Sequence, residues 1–398
     1  MTDIPSRDAS AAAISRLLVL CARPGLPAPD DDEARKILGE GISWPRLLER
    51  GDEEGLVPLL YWNLRDMPEA VPAEVLARLK GRYLANLART LRIAKEVGPF
   101  LGAVRAAGRT AVLTKGLRLA STVYPDPGLR PFWDVDLFVP AADWPGVRGV
   151  LEAEGFAEAA EGPAGRSLPA SAPDWTYSPY FRRGDIVLEF HFNVLGLHFP
   201  AGPLPRDVLV RLPLPAGGGE ATVFPPAFEF CYLCLHAQQH SYRRLVWLTD
   251  IALMAAGAGI SWDEAARVAA AYGLRAPVYQ GLALADRLWP GTVPPEVLRR
   301  FRPGAVTRAA LGLLWPMKAA ARRDLASWPY YVPSLFSLWE RRSARLAARS
   351  LASILFPPRA WLARASGLPE GSARLTRHYA RRLLRPFGLA ARRLRGLR

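Results

Sequence analysis

Apolar residues recur at helical spacing through the first quarter of the chain. Trp44, Leu47 and Leu48, and later Leu76, Leu79, Tyr83, Leu87 and Leu91, are separated by steps that keep them on one face of a helix, which predicts helices up to about Val97. From Gly98 to about Pro225 the pattern changes. Ala111-Val112-Leu113 and Leu137-Phe138-Val139 are short continuous apolar runs, as in buried strands, and Leu117 to Val123 reads as a short helix between them. Ile186 to Phe192 alternates instead, with Leu188, Phe190 and Phe192 on one face and Glu189 and His191 on the other. A stretch rich in Gly, Ala, Pro and Ser from Glu161 to Pro173 interrupts this region as a loop. Helical patterning returns from Phe228 to about Glu340, broken at Pro290, Pro294, Pro316, Pro329 and Pro333. The pattern predicts an α+β chain in four parts: a helical region over 1–97, a strand-containing core over 98–225, a second helical region over 226–340 and a tail over 341–398.

Composition narrows the class. Half of the 398 residues are apolar, which excludes a disordered chain and leaves ample length for a core. Cys21, Cys231 and Cys234 make no disulfide framework and suit a reducing, cytoplasmic compartment. The N-terminus lacks the pattern of a signal peptide, and no apolar run is long enough to span a bilayer. Charge is concentrated at one end. From Arg341 to Arg398 there are fifteen arginines against one acid, Glu370, so the tail carries +14 of the chain's +15 and the body is almost neutral. That distribution argues against a nucleic-acid-binding surface over the whole body. Within the tail, Leu375, Tyr379, Leu383, Leu389 and Leu394 are interspersed with arginines. This pattern suits a helix lying on an anionic membrane surface, an RNA-binding tail, or an apolar stripe packed on the body.

Asp134-Val135-Asp136 stands at the start of the apolar run Leu137-Phe138-Val139. On a strand the two carboxylates would share a face, and their repulsion is best relieved by a divalent cation; oxygen ligands suit Mg²⁺, with Mn²⁺ as the alternative. A surface Asp-x-Asp is more often a solvated edge, so the neighbourhood matters. Lys115-Gly116 ends the strand before it, at a turn where glycine would admit a phosphate and lysine would supply a point charge. The lysine is notable because Lys36, Lys80, Lys95, Lys115 and Lys318 are the only lysines in an arginine-rich chain. Glu189 offers a third carboxylate if its strand face meets the Asp pair.

Cys231, Cys234, His236 and His240 resemble a zinc site on paper. On a helix the cysteines and histidines point in opposite directions, and the loop between ligand pairs is missing. If the helix continued unbroken, His236, His240, Arg243, Trp247 and Asp250 would form one polar and aromatic stripe. That stripe could line a cleft and hold a base or an acceptor, or serve as a packing face with an Arg243–Asp250 ion pair.

The run Leu113-Thr-Lys-Gly-Leu-Arg-Leu-Ala, followed by Tyr124-Pro-Asp-Pro-Gly-Leu-Arg-Pro-Phe-Trp-Asp-Val-Asp-Leu-Phe-Val139, resembles an uncharacterised bacterial nucleotidyltransferase family of the DNA polymerase β superfamily. Gly55 to Tyr61, Leu188 to His191, His236 to His240 and Leu245 to Asp250 extend the resemblance over most of the chain. It implies a polymerase β-like mixed sheet flanked by helical regions, and metal-dependent transfer of a nucleoside monophosphate from a nucleoside triphosphate, with release of pyrophosphate. Asp134, Asp136 and Glu189 would be the catalytic metal ligands. Lys115, Gly116 and Arg130 would contact phosphates, and His191, His236, His240, Arg243 and Asp250 would complete the substrate cleft. The superfamily's usual Gly-Gly or Gly-Ser turn is Lys115-Gly116 here.

Two other functions compete. A glycosyltransferase uses Asp-x-Asp to grip the metal of a nucleotide sugar, but this leaves the Lys-Gly turn unexplained. A catalytically idle adaptor would use the fold to bind a partner. The acceptor of a transferred nucleotide could be a protein hydroxyl, an antibiotic, a sugar phosphate or an RNA end.

Overall fold

The computed structural model describes residues 7–159, 179–192, 208–257 and 259–314 and, further on, 348, 352, 355–357, 359–381, 383 and 384. Helices α1 (Arg7–Leu20), α2 (Ala28–Gly39), α3 (Trp44–Glu54) and α4 (Val57–Leu64) lead into the long α5 (Ala73–Ala106). The mixed segment follows as β1 (Val112–Thr114), α6 (Lys115–Thr122), β2 (Val135–Phe138), α7 (Trp144–Ala153), β3 (Ala157–Ala159), β4 (Tyr180–Arg183), β5 (Ile186–His191), β6 (Val210–Pro213) and β7 (Glu220–Val223). Helices α8 (Pro226–Gln239), α9 (Leu245–Ala256), α10 (Trp262–Tyr272), α11 (Arg275–Leu288), α12 (Pro295–Phe301) and α13 (Ala305–Leu314) come next, and α14 (Arg359–Ser366) lies in the tail. The expected loop over Glu161 to Pro173 lies outside the described residues, as do the expected breaks at Pro316, Pro329 and Pro333.

The seven strands form one mixed sheet in the order β3-β4-β5-β2-β1-β7-β6. β2 pairs in parallel with β5 and antiparallel with β1, so both strands that carry acids are central neighbours. Alternation along β2 decides what faces where. Val135 and Leu137, with Leu188 and Phe190 of β5, pack under Phe100 and Val104 of α5 and Val147 and Leu151 of α7. Each such fully buried side chain contributes about 1.5–3 kcal/mol, so the register is strongly held. The opposite face carries Val112 and Phe138, which meet Phe224 just before α8 and Phe228 and Tyr232 within it. Asp136, Glu189 and Thr114 belong to this second face by parity.

The two helical regions expected at the ends of the chain share one core. Leu17, Leu47, Leu59 and Leu79 are clustered with Phe230, Leu235, Val246, Ile251 and Leu282. α5 itself runs through the position near Val97 where the sequence suggests a boundary, with Pro99 inside it. It docks on the turn before β7 through a close backbone contact: a Cβ at Gly98 would stand 1.7 Å from the Gly218 carbonyl oxygen.

Tail residues Leu375 and Tyr379 pack with Leu362 and Ala363 of α14 in a small separate cluster, and Tyr379 donates its hydroxyl to the Pro357 carbonyl. This part of the predicted stripe is therefore turned inward, while Leu389 and Leu394 lie outside the described residues. Among the described residues no helix is long and apolar enough to cross a membrane.

Candidate active site

The register of the central strands brings the acids together. Asp136 is the direct partner of Glu189 across β2 and β5, and of Thr114 across β2 and β1. His191, two residues beyond Glu189, returns to the same face; its Nε2 lies 2.9 Å from Asp136 Oδ1 and 3.5 Å from Glu189 Oε2. One donor atom each from Asp136, Glu189 and His191 falls within 4.8 Å of the others, a separation compatible with a single cation. Lys115 Nζ reaches the same place, 2.5 Å from Asp136 Oδ1 and 3.5 Å from His191 Nε2. Tyr180 of β4, opposite Glu189, donates its hydroxyl to Glu189 Oε1 at 2.9 Å.

The electrostatics divide the Asp pair. Asp136 is 5 % exposed; burial would raise its pKa, but Lys115 and the His191 hydrogen bond outweigh that and hold it down at about 2. Asp134 sits in the bend just before β2 rather than within the strand. Burial, and then repulsion from Asp136 and Glu189, push it up to about 8. Burial also works against the charge on Lys115, yet Asp136, Tyr232 and Glu189 prevail and raise it well above its ordinary value. The bend itself is clamped from α5: Arg89 donates to the carbonyls of Phe132 at 2.7 Å and Trp133 at 2.9 Å.

The Lys-Gly turn differs from its expected form. Lys115, not the glycine, takes the left-handed backbone conformation, with φ 51°. Its N–H does not face open space: Glu229 of α8 accepts from it at 3.0 Å and from the Thr114 hydroxyl at 2.8 Å. A carboxylate of the chain thus takes the place at the helix start where a phosphate was expected. Gly116 is buried, and a Cβ there would stand 2.7 Å from Phe132 Cβ, so the glycine admits a packed neighbour rather than a ligand. What the turn presents to the acid cluster is the lysine side chain.

Arg130 and Asp250 pair with each other, and Arg130 remains near enough to Asp136 for the carboxylate to favour its charge. Arg130 gives Nη2 to Asp250 Oδ2 at 2.7 Å and Nε to Oδ1 at 3.2 Å, while its Nη1 donates to the Pro131 carbonyl. Tyr124 donates to Asp250 Oδ1 at 2.7 Å, and all three residues are buried. Asp126 accepts from the Gly128 N–H at 2.7 Å to close the turn between them. Arg130, expected to contact phosphate, here forms a buried ion pair that ties the strand-containing segment to α9.

The expected continuous stripe on α8 is also corrected. α8 ends at Gln239, and Ser241 and Tyr242 take left-handed backbone angles, with φ 54° and 49°, before α9 begins at Leu245. The ring centroids of His236 and His240 lie 4.5 Å apart, and each is within 5.3 Å of Trp247. Arg243 is instead exposed and donates Nε to the His240 carbonyl, and Asp250 pairs with Arg130 rather than with Arg243. Burial, followed by Lys115 and the neighbouring imidazoles, lowers His236 well below its ordinary value, which keeps it neutral. Cys231 and Cys234 are buried in the helical core, facing Ala265 and Gly281.

Three contributors were not singled out from sequence: Glu229, Tyr180 and Arg89. Glu229 had a signal, being one acid inside the otherwise apolar run Ala227-Phe-Glu-Phe-Cys-Tyr-Leu-Cys-Leu235. Such an acid needs a buried partner. Tyr180 and Arg89 depend on cross-strand and helix–loop contacts that have no local mark.

No curated protein and no solved structure matches the chain. Residues 40–290 match the family described as uncharacterised nucleotidyltransferase, a span that holds Lys115, Asp134, Asp136, Glu189, His191 and Glu229. The chain therefore belongs to this uncharacterised nucleotidyltransferase family and is a transferase enzyme.

Proposed function

We propose that this enzyme moves a nucleoside monophosphate from a nucleoside triphosphate to an acceptor, using a polymerase β-like core and a divalent cation. One observation carries the reading: Asp136, Glu189 and His191 gather on one sheet face, with Asp134 pushed up by burial and then by the neighbouring carboxylates, and Lys115 within reach. The donor set fits a divalent cation. Two or three carboxylates on one face neutralise it, and the imidazole adds a nitrogen that Mn²⁺ accepts more readily than Mg²⁺. When bound, such an ion would supply Lewis-acid polarisation of the phosphate oxygens.

The chain's own residues do the remaining work. Asp136 and Glu189 would hold the ion, with His191 and Asp134 completing its surroundings. The Tyr180 hydroxyl fixes the orientation of Glu189. Lys115 would balance negative charge as it shifts toward the departing pyrophosphate, the kind of preorganised stabilisation that contributes most to phosphoryl chemistry. An acceptor oxygen forms the new bond to the α-phosphorus, the α–β bridge breaks, and the acceptor's proton passes to solvent or a nearby carboxylate. The partly buried rings of His236, His240 and Trp247 supply the neighbouring wall for the base or acceptor.

The test is incubation with each α-labelled triphosphate, Mg²⁺ or Mn²⁺ and host lysate, followed by identification of the labelled product. Label should transfer with pyrophosphate release and be lost in Asp136→Asn. Turnover of nucleotide sugars, with no turnover of any triphosphate, would refute the reading.

A further inference from the structure

The Lys115 side chain lies inside the donor set rather than beside it. Its ammonium is 2.5 Å from Asp136 Oδ1, the same oxygen that His191 Nε2 approaches at 2.9 Å. The ammonium and the imidazole nitrogen thus converge on one carboxylate oxygen. Nζ is also 3.5 Å from His191 Nε2 and 5.9 Å from the centre of the Tyr232 ring, whose face attracts cations. An ammonium so surrounded is held as a cation in a site of two carboxylates, an imidazole and an aromatic face.

A divalent ion held by Asp136, Glu189 and His191 would lie roughly 2.0–2.3 Å from each donor atom. In the tautomer that carries its proton on Nδ1, the imidazole offers the Nε2 lone pair to that ion and becomes a ligand. The protonated amine has no lone pair to offer, and two cations cannot share Oδ1 at such distances without strong repulsion in a buried site. We infer that Lys115 is a tethered cation that occupies the metal position among Asp136, Glu189 and His191, and leaves it when a divalent ion enters.

The local architecture suits that exchange. Glu229 holds the turn through the Lys115 N–H and the Thr114 hydroxyl, while the lysine ammonium stands at the end of a four-carbon stem of rotatable bonds. With the ammonium in place, the repulsion among Asp134, Asp136 and Glu189 is relieved without metal. On the nucleotidyl-transfer reading proposed above, the displaced ammonium gains a new partner in the triphosphate, so metal and nucleotide should bind with mutual reinforcement rather than independently.

The experiment titrates Mn²⁺ into the full-length protein and follows the free-ion signal by electron paramagnetic resonance. Wild type is compared with Lys115→Met and Lys115→Gln, with circular dichroism confirming that each variant is folded. Without nucleotide, both variants should bind Mn²⁺ more tightly than wild type, on the order of tenfold or more. A non-hydrolysable triphosphate should narrow that gap, because it gives the wild-type lysine an alternative partner. Equal Mn²⁺ affinity in wild type and both folded variants, without nucleotide, would overturn the exchange and leave the transfer reading standing. A gap that nucleotide leaves unchanged would overturn the passage of Lys115 to the triphosphate. Failure of all three proteins to bind Mn²⁺, with or without triphosphate, would overturn both the exchange and metal-dependent transfer.

Discussion

The Arg130–Asp250 pair makes a quantitative prediction about stability. Arg130 is 6 % exposed and Asp250 1 %, so neither charge can fall back on water if its partner is removed. Asp250→Ala strips the guanidinium of its two bonds at 2.7 and 3.2 Å, and also leaves the buried Tyr124 hydroxyl without its acceptor. Breaking a buried pair by deleting one member costs about 3–5 kcal/mol, most of it the stranded charge. At about 2 °C per kcal/mol for a chain of this size, the melting temperature should fall by about 6–10 °C. Differential scanning fluorimetry measures this directly. If the pair fixes the fold, replacing all its polar members together should recover most of the loss, because no buried group is then stranded. Tyr124→Phe/Arg130→Met/Asp250→Leu is that control. An Asp250→Ala melting temperature within about 2 °C of wild type would refute the reasoning, since a charge that tolerates isolation is not buried as described.

Three other outcomes follow from the same structure. Asp134 and Asp136 should respond to neutralisation in opposite ways. Asp134 has a folded pKa raised to about 8, so native stability falls as pH climbs from the ordinary carboxylate range through that value; Asp134→Asn should melt higher than wild type, with the gap widening toward alkaline pH. Asp136 is held low, so its contribution is present at neutral pH and lost only as pH falls toward 2; Asp136→Asn should melt lower at pH 7, and both variants should lose transfer activity. Glu229→Ala strands the Thr114 hydroxyl and the Lys115 N–H and should cost about 2–3 kcal/mol in urea unfolding, whereas Glu229→Gln keeps an accepting oxygen and should recover much of it. Gly98→Ala would drive a methyl into the Gly218 carbonyl and should sharply reduce soluble, folded yield, while Gly102→Ala, which meets nothing within 4 Å on the same helix, should be neutral or stabilising by about 0.5–1 kcal/mol.

Local pattern by itself determined the elements that carry the chemistry. The apolar run at Val112-Leu113 marks a buried strand, and the alternation at Leu188-Glu189-Phe190-His191 follows the parity a strand imposes on any sequence, whereas Asp134, spaced as if to share that parity with Asp136, falls in the bend before β2. Parity also put Glu189 and His191 on one face before any partner strand was known. Which face met which was beyond it. The direct pairing of Asp136 with Glu189 depends on β2 and β5 being parallel neighbours, although more than forty residues separate them in sequence. The stripe on α8 failed because the left-handed angles at Ser241 and Tyr242 carry no glycine or proline to announce them. Arg130 shows its charge in sequence but not its burial or its partner. Only packing decided that Asp250 would claim it, that Glu229 would take the helix start, and that Lys115 would rest among the acids. A buried charge must find its opposite wherever the fold provides one, and that partner is set by long-range contacts that no local window contains.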